Sequence, residues 1–226
     1  MAAIAFIRHG QYHQLPDTPS ARQPYPLTQA GEEEVKAQAK RFAAWLSETG
    51  YRLEPAIHSS TSLRAWQTAE IYREQLQPFF AGEAHVHSFP ALCERSVGAL
   101  ANLSVSEIER VVALDPRLAP LPEGWKSSSN FRLPFDGAES HLEAGARVAG
   151  HLQTLPVFEG NGRIQLIVGH GASIRHASYH LNVIPFSDIE RLSMFYGHPV
   201  VFEKQNAGWV PLFGHWKRRQ APDPID

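Results

Sequence analysis

The 226-residue chain has one cysteine, Cys93. It cannot form an intramolecular disulfide, which suits a reducing compartment. A chain of this length needs no covalent staple, because folding buries roughly 70–75% of its unfolded surface. Charge of one sign is also in short supply. Lys and Arg total 21 against 23 Asp and Glu, a formal charge of −2, without the basic excess of a nucleic-acid binder. The opening apolar run, Met1 to Ile7, has no basic region ahead of it and is cut off by Arg8. Neither a secretory leader nor a membrane span is expected, and the cytoplasm is the expected location. Repeats and low-complexity tracts are missing. With 43% hydrophobic and 19% charged residues, composition excludes disorder and collagen-like structure, and the length predicts one domain over residues 1–226.

What is present is an alternation of short apolar runs and longer amphipathic ones. Ala2–Ile7, Pro55–Ser59, His85–Phe89 and Arg163–Val168 have strand length and composition. Helical spacing predicts helices from Thr28 to about Ser47, Ser62–Leu76, Ser104–Leu114, Gly137–Leu155 and on to about Leu181 after Gly169-His170-Gly171. Thr28 is a candidate N-cap, and Ser104 with Glu107 has capping-box spacing. Residues 198–213 predict a hairpin around Asn206-Ala207-Gly208. Residues 11–27, with Pro16, Pro19, Pro24 and Pro26, form a loop. Pro116–Asp136 has no period and carries Pro116, Pro120, Pro122 and Pro134, the pattern of an active-site loop or lid. Strands alternating with helices indicate an α/β fold with a mostly parallel sheet.

Two strands end in histidine beside glycine: Ile7-Arg8-His9-Gly10 and Val168-Gly169-His170-Gly171. In α/β sheets ligands bind beyond the carboxyl ends of the strands, so both histidines are placed at one ligand site. Most of the 12 histidines need no role beyond a structural hydrogen bond. The same corner twice, each with an arginine nearby, calls for more. Ser59 to Ala69 follows a strand and opens a helix, which sets Arg64 beside free backbone N–H groups suited to a phosphate. Leu92-Cys93-Glu94-Arg95, also after a strand, offers a carboxylate.

Together these segments resemble the histidine phosphatase superfamily, the phosphoglycerate-mutase-like proteins. Arg8-His9-Gly10 is similar to its RHG signature. Ser59 to Ala69 is similar to its S-x-x-x-R-A-x-Q-T-A pattern, one residue longer before the arginine when counted from Ser59. Val168 to Arg175 resembles the second histidine motif, and Leu92 to Leu100 the segment with the acidic residue. The resemblance implies a three-layer αβα sandwich with a mostly parallel central sheet. It also implies attack by His9 on phosphorus, a phosphate pocket of Arg8, Arg64, His170, Gln11 and Gly171, and Glu94 as proton donor and acceptor. No metal and no other cofactor is implied. His176 and His180 stand at i, i+4 without the glutamate of a zinc motif.

The departures matter as much. Where mutases follow RHG with an acidic residue, a serine and an asparagine, this chain has Gln11-Tyr12-His13-Gln14, and Val97 stands where the mutase branch has an aromatic. Both favour a phosphatase. The RHG-x-Tyr-His start resembles a branch acting on phosphoproteins, so a small phosphorylated metabolite and a phosphoprotein both remain as substrate. The alternatives are a phosphoglycerate or phosphosugar mutase, and a catalytically silent phospho-ligand binding module. Substrate choice is expected from Pro116–Asp136 with residues 11–22, through Trp125, Lys126 and Arg132.

Overall fold

The apolar run that ends in Arg8-His9 is buried on both faces, as the middle strand of a parallel sheet must be. The computed structural model describes residues 3–155 and 162–220; Ala2 lies outside them. In chain order the elements are β1 (Ala3–Arg8), α1 (Gln29–Thr49), β2 (Arg52–Leu53), β3 (Ala56–Ser60), α2 (Leu63–Gln75), β4 (His85–Phe89), α3 (Val105–Leu114), α4 (His141–Gln153), β5 (Arg163–Gly169), α5 (Gly171–His180), β6 (Leu192–Ser193), β7 (Pro199–Gln205), β8 (Gly208–Phe213) and β9 (Lys217–Arg218). The main sheet has the order β4-β3-β5-β1-β7-β8, with β2 also paired to β5. Strands β4, β3, β5 and β1 are parallel, and the closing hairpin β7–β8 is antiparallel.

The period-2 geometry of β1 divides the core. Ala3, Ala5 and Ile7 pack with Val35, Phe42 and Leu46 of α1 and Ala65, Ala69 and Tyr72 of α2. Ile4 and Phe6 face the other way, toward Val148 and Leu152 of α4 and Ile174 of α5. Two helical layers therefore enclose the sheet. A third, smaller cluster joins Ile108 of α3 to Val97, Trp125, Leu133 and Ala138, so residues 116–136 are folded onto α3.

The helix expected from Gly137 begins later, at His141. Ser140 caps it, accepting from the Glu143 N–H while Glu143 returns to the Ser140 N–H. This reciprocal pairing satisfies two end donors and leaves residues 137–139 outside the helix. Thr28 caps α1 and Ser104 with Glu107 caps α3, as their spacing predicts. Among the described residues no helix is long and apolar enough to cross a membrane.

The interior holds several histidines as neutral groups. His58 Nδ1 of β3 lies 2.9 Å from His151 Nε2 of α4, and the Phe89 ring packs on both. Burial, with His151 and His87 adding to it, holds the His58 imidazole down to about 4; burial likewise lowers His151, His141 and His170. An unfolded histidine titrates near ~6.5. On acidification the unfolded chain therefore binds protons first, and stability held above about pH 6.5 is lost as pH falls toward 4. The melting temperature should drop between pH 7 and 5, and less steeply in the His58→Leu/His151→Leu double variant. An unchanged slope in that variant would contradict this assignment.

Candidate active site

Because β1, β3, β4 and β5 are parallel, the loops after Arg8, Ser60, Phe89 and Gly169 share one edge of the sheet. Each of the four sequence segments follows one of these strands. His9, its N–H bonded to the Gly169 carbonyl at 2.9 Å, is brought to 5.0 Å from His170, ring centre to ring centre. Both are almost fully buried.

Arg64 enters between them from the first turn of α2, with no exposed surface. Its Nε donates to His9 Nε2 and an Nη to His170 Nδ1, both at 3.2 Å. The same guanidinium donates to the carbonyls of Gln23 and Ser20, each at 2.9 Å. These partners fix the tautomers, since a carbonyl only accepts and a guanidinium only donates. His9 Nδ1–H donates to the Gly10 carbonyl at 2.8 Å, which leaves the lone pair on Nε2. His170 keeps its lone pair on Nδ1 and donates from Nε2 to Ser60 Oγ at 2.9 Å. Burial, then the cations Arg64 and Arg8 and the neighbouring His9, hold His170 well below the usual histidine range, so it is neutral.

Arg8 completes the cationic wall. Its guanidinium carbon lies 3.9 Å from the centre of the Tyr196 ring, and it donates to the Met194 carbonyl. A Cβ at Gly171 would stand 3.2 Å from Arg8 Cδ and Nε, so glycine lets that side chain lie against the start of α5. Tyr12 covers Arg64 from the other side, 4.5 Å from ring centre to guanidinium carbon. Burial pushes the Tyr12 phenol up to about 12, against the opposing pull of Arg64.

Glu94 is buried beside this cluster. Its carboxylate accepts from the N–H groups of Arg95 at 2.8 Å and Ala172 at 3.2 Å. It opens onto a cleft of about 800 Å³, whose wall includes Arg22, Gln23, Ser62, Cys93, Glu139 and Arg147.

The structure thus brings together Arg8, His9, Arg64, Glu94, His170 and Gly171. Gln11 is at the edge: its side chain is exposed and its carbonyl accepts from the Thr28 N–H. Trp125, Lys126 and Arg132, expected to meet the substrate, do not line the cleft. Trp125 is buried in the cluster on α3, its Nε1 donating to Glu109. Lys126 offers its carbonyl to Arg95 and His141, and the exposed Arg132 pairs with Glu143. Apolar packing of the loop, invisible in a segment without periodicity, is the reason. Residues 21–24 and 137–139 line the cleft instead. His176 is committed to the Ala172 carbonyl and Ser129 Oγ, and His180 to the Leu142 carbonyl. The sequence reading noted Tyr12 only within the RHG-x-Tyr-His start, and missed Gln23 and Tyr196, which carry no spacing signal, and Thr68, which stands inside the quoted helix pattern and accepts from the Gly10 N–H at 3.0 Å.

The α/β sheet gathers paired histidines and arginines at its carboxyl edge, a cationic arrangement suited to a small anion. Residues 4–214 match the histidine phosphatase superfamily (branch 1), and the chain belongs to that family. It is 29% identical over 206 residues to a 2,3-bisphosphoglycerate-dependent phosphoglycerate mutase of Corynebacterium diphtheriae, covering 81% of this chain and 78% of that one. Its fold resembles that of a mycobacterial glucosyl-3-phosphoglycerate phosphatase, with a TM-score of 0.67, 21% identity, and 93% and 97% of the two chains covered. It also resembles the alpha-ribazole phosphatase of Shigella flexneri, with a TM-score of 0.67, 19% identity, and 93% and 94% covered.

The close approach of the His9 loop to α1 is testable. A Cβ at Gly10 would lie 2.7 Å from Val35 Cγ2. Gly10→Ala should destabilise the protein by about 1–3 kcal/mol, the usual cost of overpacking, and Val35→Ala in the same chain should recover part of it. Denaturant unfolding measures both, and a neutral Gly10→Ala would contradict the packing.

Proposed function

We propose that this protein is a single-domain phosphomonoesterase that hydrolyses a small phosphorylated metabolite through a phosphohistidine on His9, in the reducing cytoplasm that its lone cysteine suits. The observation that carries this reading is the His9 ring: Nδ1–H is held by the Gly10 carbonyl, and the Nε2 lone pair faces Arg64. In the first step Nε2 bonds to phosphorus while the bond from phosphorus to the ester oxygen breaks, and Glu94 gives that oxygen a proton. In the second, Glu94 takes a proton from water, whose oxygen attacks phosphorus and releases phosphate with His9 restored. Arg64 and Arg8 meet the oxygens on which charge spreads, and His170 meets one of them by turning its Nε2–H from Ser60 Oγ to the phosphoryl group. The two guanidinium groups supply the positive charge that phosphoryl transfer needs, so the reading assigns no metal and no cofactor.

Charge in the cleft favours release to water over transfer to a second hydroxyl. Arg147 is paired with Glu139, and Glu94 adds a further carboxylate. Among the described residues Arg22 is the one other cation in the wall. With Glu94 ionised the wall sets two carboxylates against two arginines, so the second phosphate of a bisphosphate primer would meet no net positive charge there. Val97 is buried in the cluster on α3 and offers the cleft no aromatic. Likeness to the corynebacterial mutase supports the alternative, a mutase. The names of the phosphatase neighbours support a metabolite rather than a phosphoprotein.

A panel of phosphorylated metabolites and phosphopeptides, assayed for phosphate release without added bisphosphate, tests the proposal. Release should be abolished in His9→Ala, reduced on the order of 10²–10³-fold in Arg64→Ala and His170→Ala, and insensitive to EDTA. Turnover that requires a bisphosphate would establish the mutase. No turnover of any ester, with phosphate still bound, would establish the silent binding module.

A further inference from the structure

Glu94 sits on a segment, residues 90–96, whose regular structure is one short turn at Pro90–Leu92. Something outside the segment must hold it. Arg147, from the face of α4, is that anchor. One of its Nη atoms donates to the carbonyls of Ala91 at 2.7 Å and Cys93 at 3.1 Å, and approaches that of Pro90 at 3.4 Å. The other lies 3.5 Å from the Glu94 carbonyl. Arg147 is itself aimed by Glu139, which takes Nε and Nη2 in a fork of two bonds of 2.8 Å each. Glu139 in turn accepts from the Ser96 N–H at 3.1 Å and donates its own N–H to the Ser96 carbonyl at 2.9 Å. The pair thus grips the segment on both sides of Glu94.

The Glu94 carboxylate depends on that grip. One of its two hydrogen bonds comes from Arg95 N–H, inside the segment, and the other from Ala172 N–H at the start of α5. Shifting the segment moves the first donor away from the second. We propose that Arg147, oriented by Glu139, is a positioning residue that fixes the Glu94 carboxyl for proton transfer to the leaving oxygen. This rests on the phosphatase reading given above. A lysine keeps the charge but lacks the planar fork that meets a carboxylate and several carbonyls at once.

The readout is leaving-group dependence. An alkyl phosphate needs a proton on its departing oxygen, whereas p-nitrophenyl phosphate departs as a stable anion and needs little help. Arg147→Lys should lower kcat/KM, which reports transfer to His9 and departure of the leaving group and not the hydrolysis step that both esters share, by at least ten times more on glycerol 2-phosphate than on p-nitrophenyl phosphate, part of the about 10²–10⁴-fold that a placed proton donor contributes. Glu94→Gln should show the same selectivity, and Glu94→Gln/Arg147→Lys should be no worse than Glu94→Gln alone, because residues acting as one unit are not additive. Should Arg147→Lys fail to fold, Glu139→Gln weakens the fork while leaving the carbonyl contacts and should show the same bias. Equal losses on the two esters, or additive losses in the double variant, would overturn the inference alone. A wild-type protein inert toward every phosphomonoester would overturn the phosphatase reading and this inference with it.

Discussion

A guanidinium with no exposed surface is tolerated only where its donors are met, and much of this site is arranged to meet those of Arg64. Two of its partners are imidazole nitrogens, which accept only from neutral rings; burial and the nearby cations keep His170 in that state. Two more are the Ser20 and Gln23 carbonyls, so the polar loop after His9 is shaped by the same arginine. The Gln23 side chain secures that loop internally, accepting from the Leu15 N–H and donating to the Thr18 carbonyl. One buried cation thereby fixes His9, His170 and the loop that follows His9.

The sheet decides which residues can reach that cation. Four parallel strands end on one edge, and His9, Arg64, Glu94 and His170 each follow one of them. The division of labour follows from depth. Groups at the strand ends converge on one another, while the cleft beyond Glu94 is walled by residues 21–24, by 61–63 and by 137–139. The walls of the cleft therefore come from segments that lie far apart in sequence and share no motif.

The layout of the fold was legible because its elements obey local rules. The continuous apolar run of β1, the Thr28 cap and the Ser104–Glu107 box are all sequence-encoded and all present. His9, Arg64 and His170 were legible as neighbours because strand ends in a parallel sheet must converge. That Trp125, Lys126 and Arg132 stand outside the cleft lining was not legible, because a segment without period gives no sign of which face packs, and Trp125 is held in the cluster on α3 by apolar neighbours from other segments. Arg147 and Glu139 were invisible for a different reason. Their partners are backbone carbonyls and a backbone N–H, which leave no trace in residue type.

The central claim is that His9 Nε2 bonds to phosphorus. The most direct measurement is a rapid quench with a 32P-labelled phosphomonoester, followed by acid and base treatment and peptide mapping of the label. The account predicts acid-labile, base-stable phosphate on the peptide that contains His9. Label on Ser60, Ser62 or another residue, or turnover with full kinetic competence and no labelled protein at any time, would contradict it.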